Sequence, residues 1–407
     1  NGLKVVLLPD NEQDGLFVVC QLPFGKLCDT YGLEGLSEIT LNLLQKGTVN
    51  YTAEAIAEKL ENMGASMVSD MGEEYTRIGV RMLSKFEDEI FRVFWEMICK
   101  PAFDKGEYNR LIREMITGLK TELIDPQTIA EHHFCNQLAS SEHPVGRDIT
   151  KQSLKKIKLA DIAAYYKERF IPQGCTLVVA GNFVPSEFKQ KWNSLLLEWK
   201  KCGKSSVFKV PPFKPASRVI RLVDNPNLTQ TTIVAGHFVG GESYQFKNEI
   251  SLANYVLGGG NFSSRLMAKI RSVCGKTYGV NSQIVSTLDF GVFRMVTSTQ
   301  NNHVGEVMSI IMDVFREFCE QGISEDELEK AKKFVIGNMS FQFEGIMNLV
   351  EKILWLRYID RPYTYLESFN ESISGITLDA VNSAERAFHQ KNLSLLQLVK
   401  KLKWRMI

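Results

Sequence analysis

Gly32-Leu33-Glu34-Gly35-Leu36-Ser37-Glu38-Ile39-Thr40-Leu41-Asn42-Leu43-Leu44-Gln45-Lys46-Gly47-Thr48 is the stretch on which the fold of this 407-residue chain turns. Leu33, Leu36, Leu41, Leu43 and Leu44 make the apolar stripe of an amphipathic helix that packs on a sheet. Working outward, strand-like runs at Leu3 to Leu8 and Leu16 to Leu22 precede this helix, placed at about 33–46. A second helix at 52–63 and strands near 65–70 and 75–82 follow. A helical stretch over 84–139 is broken at Pro101 and Asp125-Pro126, because proline ends or kinks a helix. A helix near 159–170, a strand at Cys175 to Ala180 and a helix at 186–199 close the half, an α+β unit.

Several landmarks recur in fixed order: Gly25 at a strand end, Met63-Gly64-Ala65 after the second helix, His143-Pro144-Val145-Gly146-Arg147, and the strand Leu177-Val178-Val179-Ala180-Gly181-Asn182. Together with the opening helix they resemble the pitrilysin/insulinase family of inverted-motif zinc peptidases, which includes mitochondrial-processing-peptidase-like members, and the resemblance covers nearly the whole chain. That family's first helix reads Gly-Leu-x-His-x-x-Glu-His-x-Leu-x-x-Lys-Gly-Thr. The resemblance implies two homologous domains, each an antiparallel sheet with helices, in the LuxS/mitochondrial-processing-peptidase-like metallohydrolase fold. Two such domains form half of a clam shell, which a second chain or subunit completes.

In an H-x-x-E-H helix two imidazoles four residues apart hold Zn²⁺, and the glutamate acts as general base on the metal-bound water. Here Gly35 and Ile39 stand at the histidine places and Glu38 at the general-base place. Glycine and isoleucine coordinate nothing. Glu114, 75 residues past Ile39, falls where the resemblance puts the third ligand. A catalytic zinc site needs three protein ligands and an open position, so no metal is expected in this chain and no peptidase activity from it alone.

A second segment, Gly258-Gly259-Gly260-Asn261-Phe262-Ser263-Ser264-Arg265-Leu266-Met267-Ala268-Lys269-Ile270-Arg271-Ser272-Val273-Cys274-Gly275-Lys276-Thr277-Tyr278, resembles the family's Gly-rich loop and its Arg/Tyr pair seven residues apart. The resemblance gives Arg271 and Tyr278, with Gly258, Gly259 and Gly260, a substrate-binding role beside the metal. Guanidinium and phenol both donate to a peptide carbonyl. A bland reading keeps the glycines as a turn and Arg271 as a solvated helix residue. Losing the ligands while keeping this pair implies a non-catalytic, substrate-binding subunit of a heterodimeric zinc peptidase, with zinc in a partner chain bearing H-x-x-E-H. A homodimer is the other assembly considered. The alternatives are a structural scaffold like the core subunits of respiratory complexes, or a residual peptidase with an atypical metal site at Glu38 and Glu114.

Composition restricts the rest. A length of 407 residues suits two domains, and a net charge of +1 offers no field for nucleic acid. No run of 18 apolar residues spans a membrane. The eight cysteines form no C-x-x-C pair and argue against a disulfide framework or a structural zinc site. His132, His133 and Cys135 offer helical ligand spacing without a third donor, and His237, His303 and His389 are isolated. A targeting segment would lie upstream of residue 1; bacterial periplasm or cytoplasm is favoured over a mitochondrion.

Lys201 to Lys204 is polar and Val210-Pro211-Pro212-Phe213-Lys214-Pro215 extended, which places a linker at 206–215 between domains 1–205 and 216–407. The second half repeats the order of the first. Strands are expected near 217–223 and 229–236, helices at 244–257 and 262–272, and strands at 277–284 and 287–297. Helices at 303–321, 325–342, 345–359 and 378–389 and a strand at Ser394 to Val399 complete it. Phe103-Asp104-Lys105-Gly106-Glu107-Tyr108 and Ile323-Ser324-Glu325-Asp326-Glu327-Leu328 open corresponding helices.

Overall fold

A strand buried at every residue is covered on both faces, and the run Thr176–Gly181 is such a strand. The computed structural model describes residues 1–122, 124–200, 209–211, 220–225, 228–272, 277–384 and 394–399. Within these, the side chains of Arg271, Ser272, Tyr278 and 394–399 fall outside the description.

The first half runs β1 (Lys4–Pro9), β2 (Gly15–Leu22), α1 (Leu36–Leu44), α2 (Ala53–Asn62), β3 (Ser66–Met71), β4 (Thr76–Leu83), α3 (Glu87–Cys99), α4 (Lys105–Glu122), α5 (Pro126–Ala139), α6 (Lys151–Lys156), α7 (Leu159–Arg169), β5 (Thr176–Gly181) and α8 (Pro185–Glu198). The second runs β6 (Ile220–Asp224), β7 (Gln230–Gly240), α9 (Lys247–Asn254), α10 (Arg265–Ser272), β8 (Thr277–Ser286), β9 (Phe290–Gln300), α11 (Val304–Gln321), α12 (Glu325–Phe341), α13 (Ile346–Tyr358), α14 (Tyr365–Ser374), α15 (Leu378–Ala384) and β10 (Ser394–Val399).

The strands form two sheets in one shared order, β1-β5-β2-β4-β3 and β6-β10-β7-β9-β8. Four strands of each sheet are antiparallel as expected, but β1 pairs parallel to β5 and β6 parallel to β10. The sheets are therefore mixed. The helical breaks fall where proline puts them: α3 stops before Pro101, and α5 starts at Pro126 with Asp125 accepting from Thr128 N at 2.7 Å as its N-cap. The expected helix at 244–257 is shorter, since α9 runs into a π-helical turn at Tyr255–Gly259. Helices α6 and α14 were not expected from periodicity. The six residues of α6 are too few to show a period, although its Thr150/Ser153 capping box marks it.

The chain divides into two units that are not contiguous: 1–120, 148–211 and 342–362 in one, 121–147, 212–341 and 363–407 in the other. This differs from the contiguous division at 206–215, a linker that, apart from 209–211, lies outside the described residues.

In the first unit, alternate side chains explain the exchange. Cys20, Leu177 and Val179 point to a core with Ile39, Leu43, Phe91, Trp95, Ile162 and Trp192. Their neighbours Val19, Val178 and Ala180 point the other way and are covered by Val350, Ile353 and Leu354 of α13. A polar tie fixes that helix. Arg77 Nε donates to Gln21 Oε1 at 2.9 Å, Gln21 Nε2 donates to Leu354 O at 3.1 Å, and the Arg77 guanidinium pairs with Glu351.

In the second unit α5 takes the corresponding place against β7 and β10. Arg294 Nη1 donates to Glu131 Oε2 at 2.8 Å, and Arg221 Nη1 donates to Asn136 Oδ1 at 3.3 Å. Glu351 and Glu131 are each the sixth residue of their helix. The duplication thus extends to the ion pair that seats the exchanged helix. Among the described residues no helix is long and apolar enough to cross a membrane.

A fragment ending at residue 205 lacks α13 and exposes Val19, Val178 and Ala180. It is expected to aggregate or lack cooperative unfolding, and co-expression with residues 206–407 is expected to restore a soluble, cooperatively melting species. A monomeric 1–205 fragment with a sharp thermal transition would contradict the packing described.

Candidate functional site

The degenerate metal motif sits at the start of α1. Gly35 is its N-cap, with φ +100° and ψ −2°, so the helix begins one residue after the first ligand position. A Cβ on Gly35 would come within 2.9 Å of Leu154 Cδ2 and 3.2 Å of Ile149 Cγ2. A side chain there meets both left-handed backbone strain and filled space. Ile39, at the second position, is fully buried in the core.

Asp29 closes the helix end. Its Oδ2 accepts from Gly35 N at 2.7 Å and its Oδ1 from Ser37 N at 2.8 Å, satisfying two amides that α1 leaves open. Burial pushes the Asp29 carboxyl up to about 6, against the downward pull of the Ser37 and Gly35 amides. Burial likewise raises the neighbouring Cys28 thiol and the Tyr165 phenol.

Glu38 is half-buried on α1, while Glu114 is exposed on α4 with its Oε1 3.6 Å from Arg110 Nε. Among the described residues no three His, Cys, Asp or Glu side chains are grouped to hold a cation. Gly35 and Ile39 do not fit zinc: one offers no side chain, and the other is a hydrocarbon locked in the core.

The second candidate site spans the turn before β8. Gly258 is buried, and a Cβ there would lie 2.5 Å from Ser282 Oγ and 2.9 Å from Leu266 Cδ1. Only glycine lets this turn touch β8. The π-helical turn Tyr255–Gly259 closes through Gly260 N donating to Tyr255 O at 2.8 Å, and Asn261 follows at φ +49°. Gly258, Gly259 and Gly260 thus have a packing duty in the structure.

Ser264 Oγ then accepts from Met267 N at 3.4 Å, and α10 begins. Arg271 lies on α10 and Tyr278 on β8; their side chains are outside the described residues. The β8–β9 register shifts between Thr277 and Val280, at the step that carries Tyr278. The pair is thereby placed on two consecutive elements joined by a short connection.

Arg265, to which the sequence pattern gives no role, is firmly anchored through its guanidinium. It pairs with Glu327 on α12, and the Arg265 hydrogen bonds hold the Glu327 carboxyl down to about 2. Asp29 likewise has little signature in the sequence, only an acidic residue shortly before a helix start. His132, His133 and Cys135 lie on α5. His237 packs in β7 near the Phe293 and Phe315 rings, at 5.2 and 6.5 Å, and His303 precedes α11. His389 lies outside the described residues.

Comparison with known proteins matches two successive parts of the chain to one peptidase family. A family model described as insulinase (peptidase family M16) matches residues 5–150, and one described as peptidase M16 inactive domain matches residues 156–335. A Helicobacter pylori protein named non-peptidase homolog YmxG is 26% identical over 374 residues, covering 90% of this chain and 84% of that protein. The fold matches a peptidase M16 inactive domain from Pseudomonas fluorescens at TM-score 0.90 and 21% identity, over 99% of this chain and 97% of the other. It also matches the periplasmic protease PqqL from Escherichia coli at TM-score 0.80 and 16% identity, over 97% of this chain but 44% of that one.

Two outcomes are expected at α1. The double variant Gly35→His/Ile39→His is expected to gain no stoichiometric zinc by elemental analysis and to melt at lower temperature, since backbone strain alone costs about 1–2 kcal/mol. For pH, the folded Asp29 titrates at about 6 and an unfolded one near 3.8, so the folded state binds the proton first. Stability therefore falls as pH rises between those values and is level above them. Asp29→Asn removes this slope, at most about 3 kcal/mol between its ends, read from urea midpoints at pH 4 and 7.

Proposed function

Because this chain belongs to the insulinase (M16) peptidase family yet carries no metal-holding histidine at Gly35 or Ile39, we propose that it is a non-catalytic, substrate-binding partner subunit of a two-chain zinc peptidase. The partner is a homologous chain with an intact H-x-x-E-H helix, which supplies the zinc. The observation that carries the reading is an asymmetry. The metal positions are converted to core and cap, while Arg271 and Tyr278 keep their seven-residue spacing across α10 and β8.

The chemistry assigned to each residue is limited. Arg271 and Tyr278 donate to a carbonyl of an extended peptide lying along a sheet edge of the partner. Beside the scissile amide, these donors would stabilise the negative charge that develops on its oxygen.

The test is reconstitution. This chain, mixed with a purified M16 chain bearing H-x-x-E-H, is expected to hydrolyse fluorescein-labelled casein that neither cleaves well alone. Arg271→Ala or Tyr278→Phe is expected to lower kcat/KM about a hundredfold, the lower end of the scale for losing one oxyanion donor. Unchanged rates in both variants would leave the scaffold reading standing. Hydrolysis by this chain alone, with zinc bound, would replace the proposal with a residual peptidase.

A further inference from the structure

Arg265 is the first residue of α10, and three hydrogen bonds fix it. Its Nε donates to Glu327 Oε1 at 2.7 Å, its Nη2 to Glu327 Oε2 at 2.7 Å, and the same Nη2 to Gly322 O at 2.8 Å. Gly322 is the C-cap of α11, and Glu327 lies in the first turn of α12. One guanidinium therefore joins the end of one helix and the start of the next to the start of a third.

The acceptor is itself held. Glu327 Oε2 accepts from Ser324 N at 2.8 Å and from Ser324 Oγ at 3.0 Å. Asn382, on α15, accepts from Ile323 N at 2.9 Å, so a fourth helix braces the same corner. Both side chains of the pair are about three-quarters covered, at 23% and 28% exposure, and the fork-to-fork geometry admits one orientation.

An eight-residue helix has little rigidity of its own, so its position comes from its anchors. Beyond Arg265, the buried Leu266 and Ile270 also hold α10 in the core, through apolar contacts that are not directional. Arg271 lies six residues on, about 9 Å along the axis. A small tilt at Arg265 is carried to Arg271.

We propose that Arg265 is a positioning residue: its fork on Glu327 sets the height and rotation of α10, and hence where Arg271 meets the peptide. This rests on the reading of Arg271 as a peptide grip, and the experiment separates the two. Hydrolysis of fluorescein-labelled casein by the reconstituted two-chain mixture is measured for Arg265→Lys, Glu327→Gln, Arg271→Ala and the double variant Arg265→Lys/Arg271→Ala. Thermal melts select variants that remain folded. Lysine keeps the charge but loses the fork, and Glu327→Gln keeps the guanidinium while weakening its acceptor.

Each of Arg265→Lys and Glu327→Gln is expected to raise KM about tenfold, while the double variant performs no worse than Arg271→Ala, because the two act through one contact. A general structural role would instead give losses that multiply. Multiplying losses, or a wild-type KM in both Arg265→Lys and Glu327→Gln, overturns the positioning role while Arg271→Ala stays impaired. A wild-type Arg271→Ala overturns the grip and the positioning role together.

Discussion

The first unit depends on one requirement, that both faces of its central strands β5 and β2 be taken out of water. Strand β5 has no face that tolerates solvent: Leu177 and Val179 serve one core while Val178 and Ala180 serve the other. Helix α13 meets this need with Val350, Ile353 and Leu354. Burial alone would not choose its register, because apolar contact is not directional. The Arg77, Gln21 and Glu351 tie does, by giving the half-buried helix one orientation in which Glu351 meets Arg77.

The same economy of space explains the degenerate motif. A zinc helix must present donors at its first turn, whereas here that turn is closed by Asp29 and backed by Leu154 and Ile149. Gly35 is a cap in left-handed conformation, outside the helical run. Glu38 is half-buried on this helix, and among the described residues no three His, Cys, Asp or Glu side chains are grouped to hold a cation.

Much of this was legible in the sequence because it rests on local rules. Proline at 101 and 126 sets helix ends, and the period-two and period-3.6 patterns locate the strands and long helices. The all-apolar run Leu177 to Ala180 announces a doubly covered strand, but which helix covers its second face is a long-range choice that periodicity does not encode. The parallel pairing of β1 and β6 is hidden for the same reason. At the site, the missing histidines could be read directly, and the cap by Asp29 and the anchor at Arg265 could not. An acidic residue before a helix and an arginine at its start are ordinary until their partners, Ser37 and Glu327, are placed.

The exchanged helices also bear on how the chain reaches its fold during synthesis. Gln21 meets Leu354 across 333 residues, so the first sheet emerges long before its second cover exists. Contacts of such separation are slow to form, because the chain between them must be ordered first. Until α13 is made, Val19, Val178 and Ala180 present a sticky surface on a nascent chain. Folding is thus delayed until late in translation, and the interval is one in which chaperones have a defined apolar target.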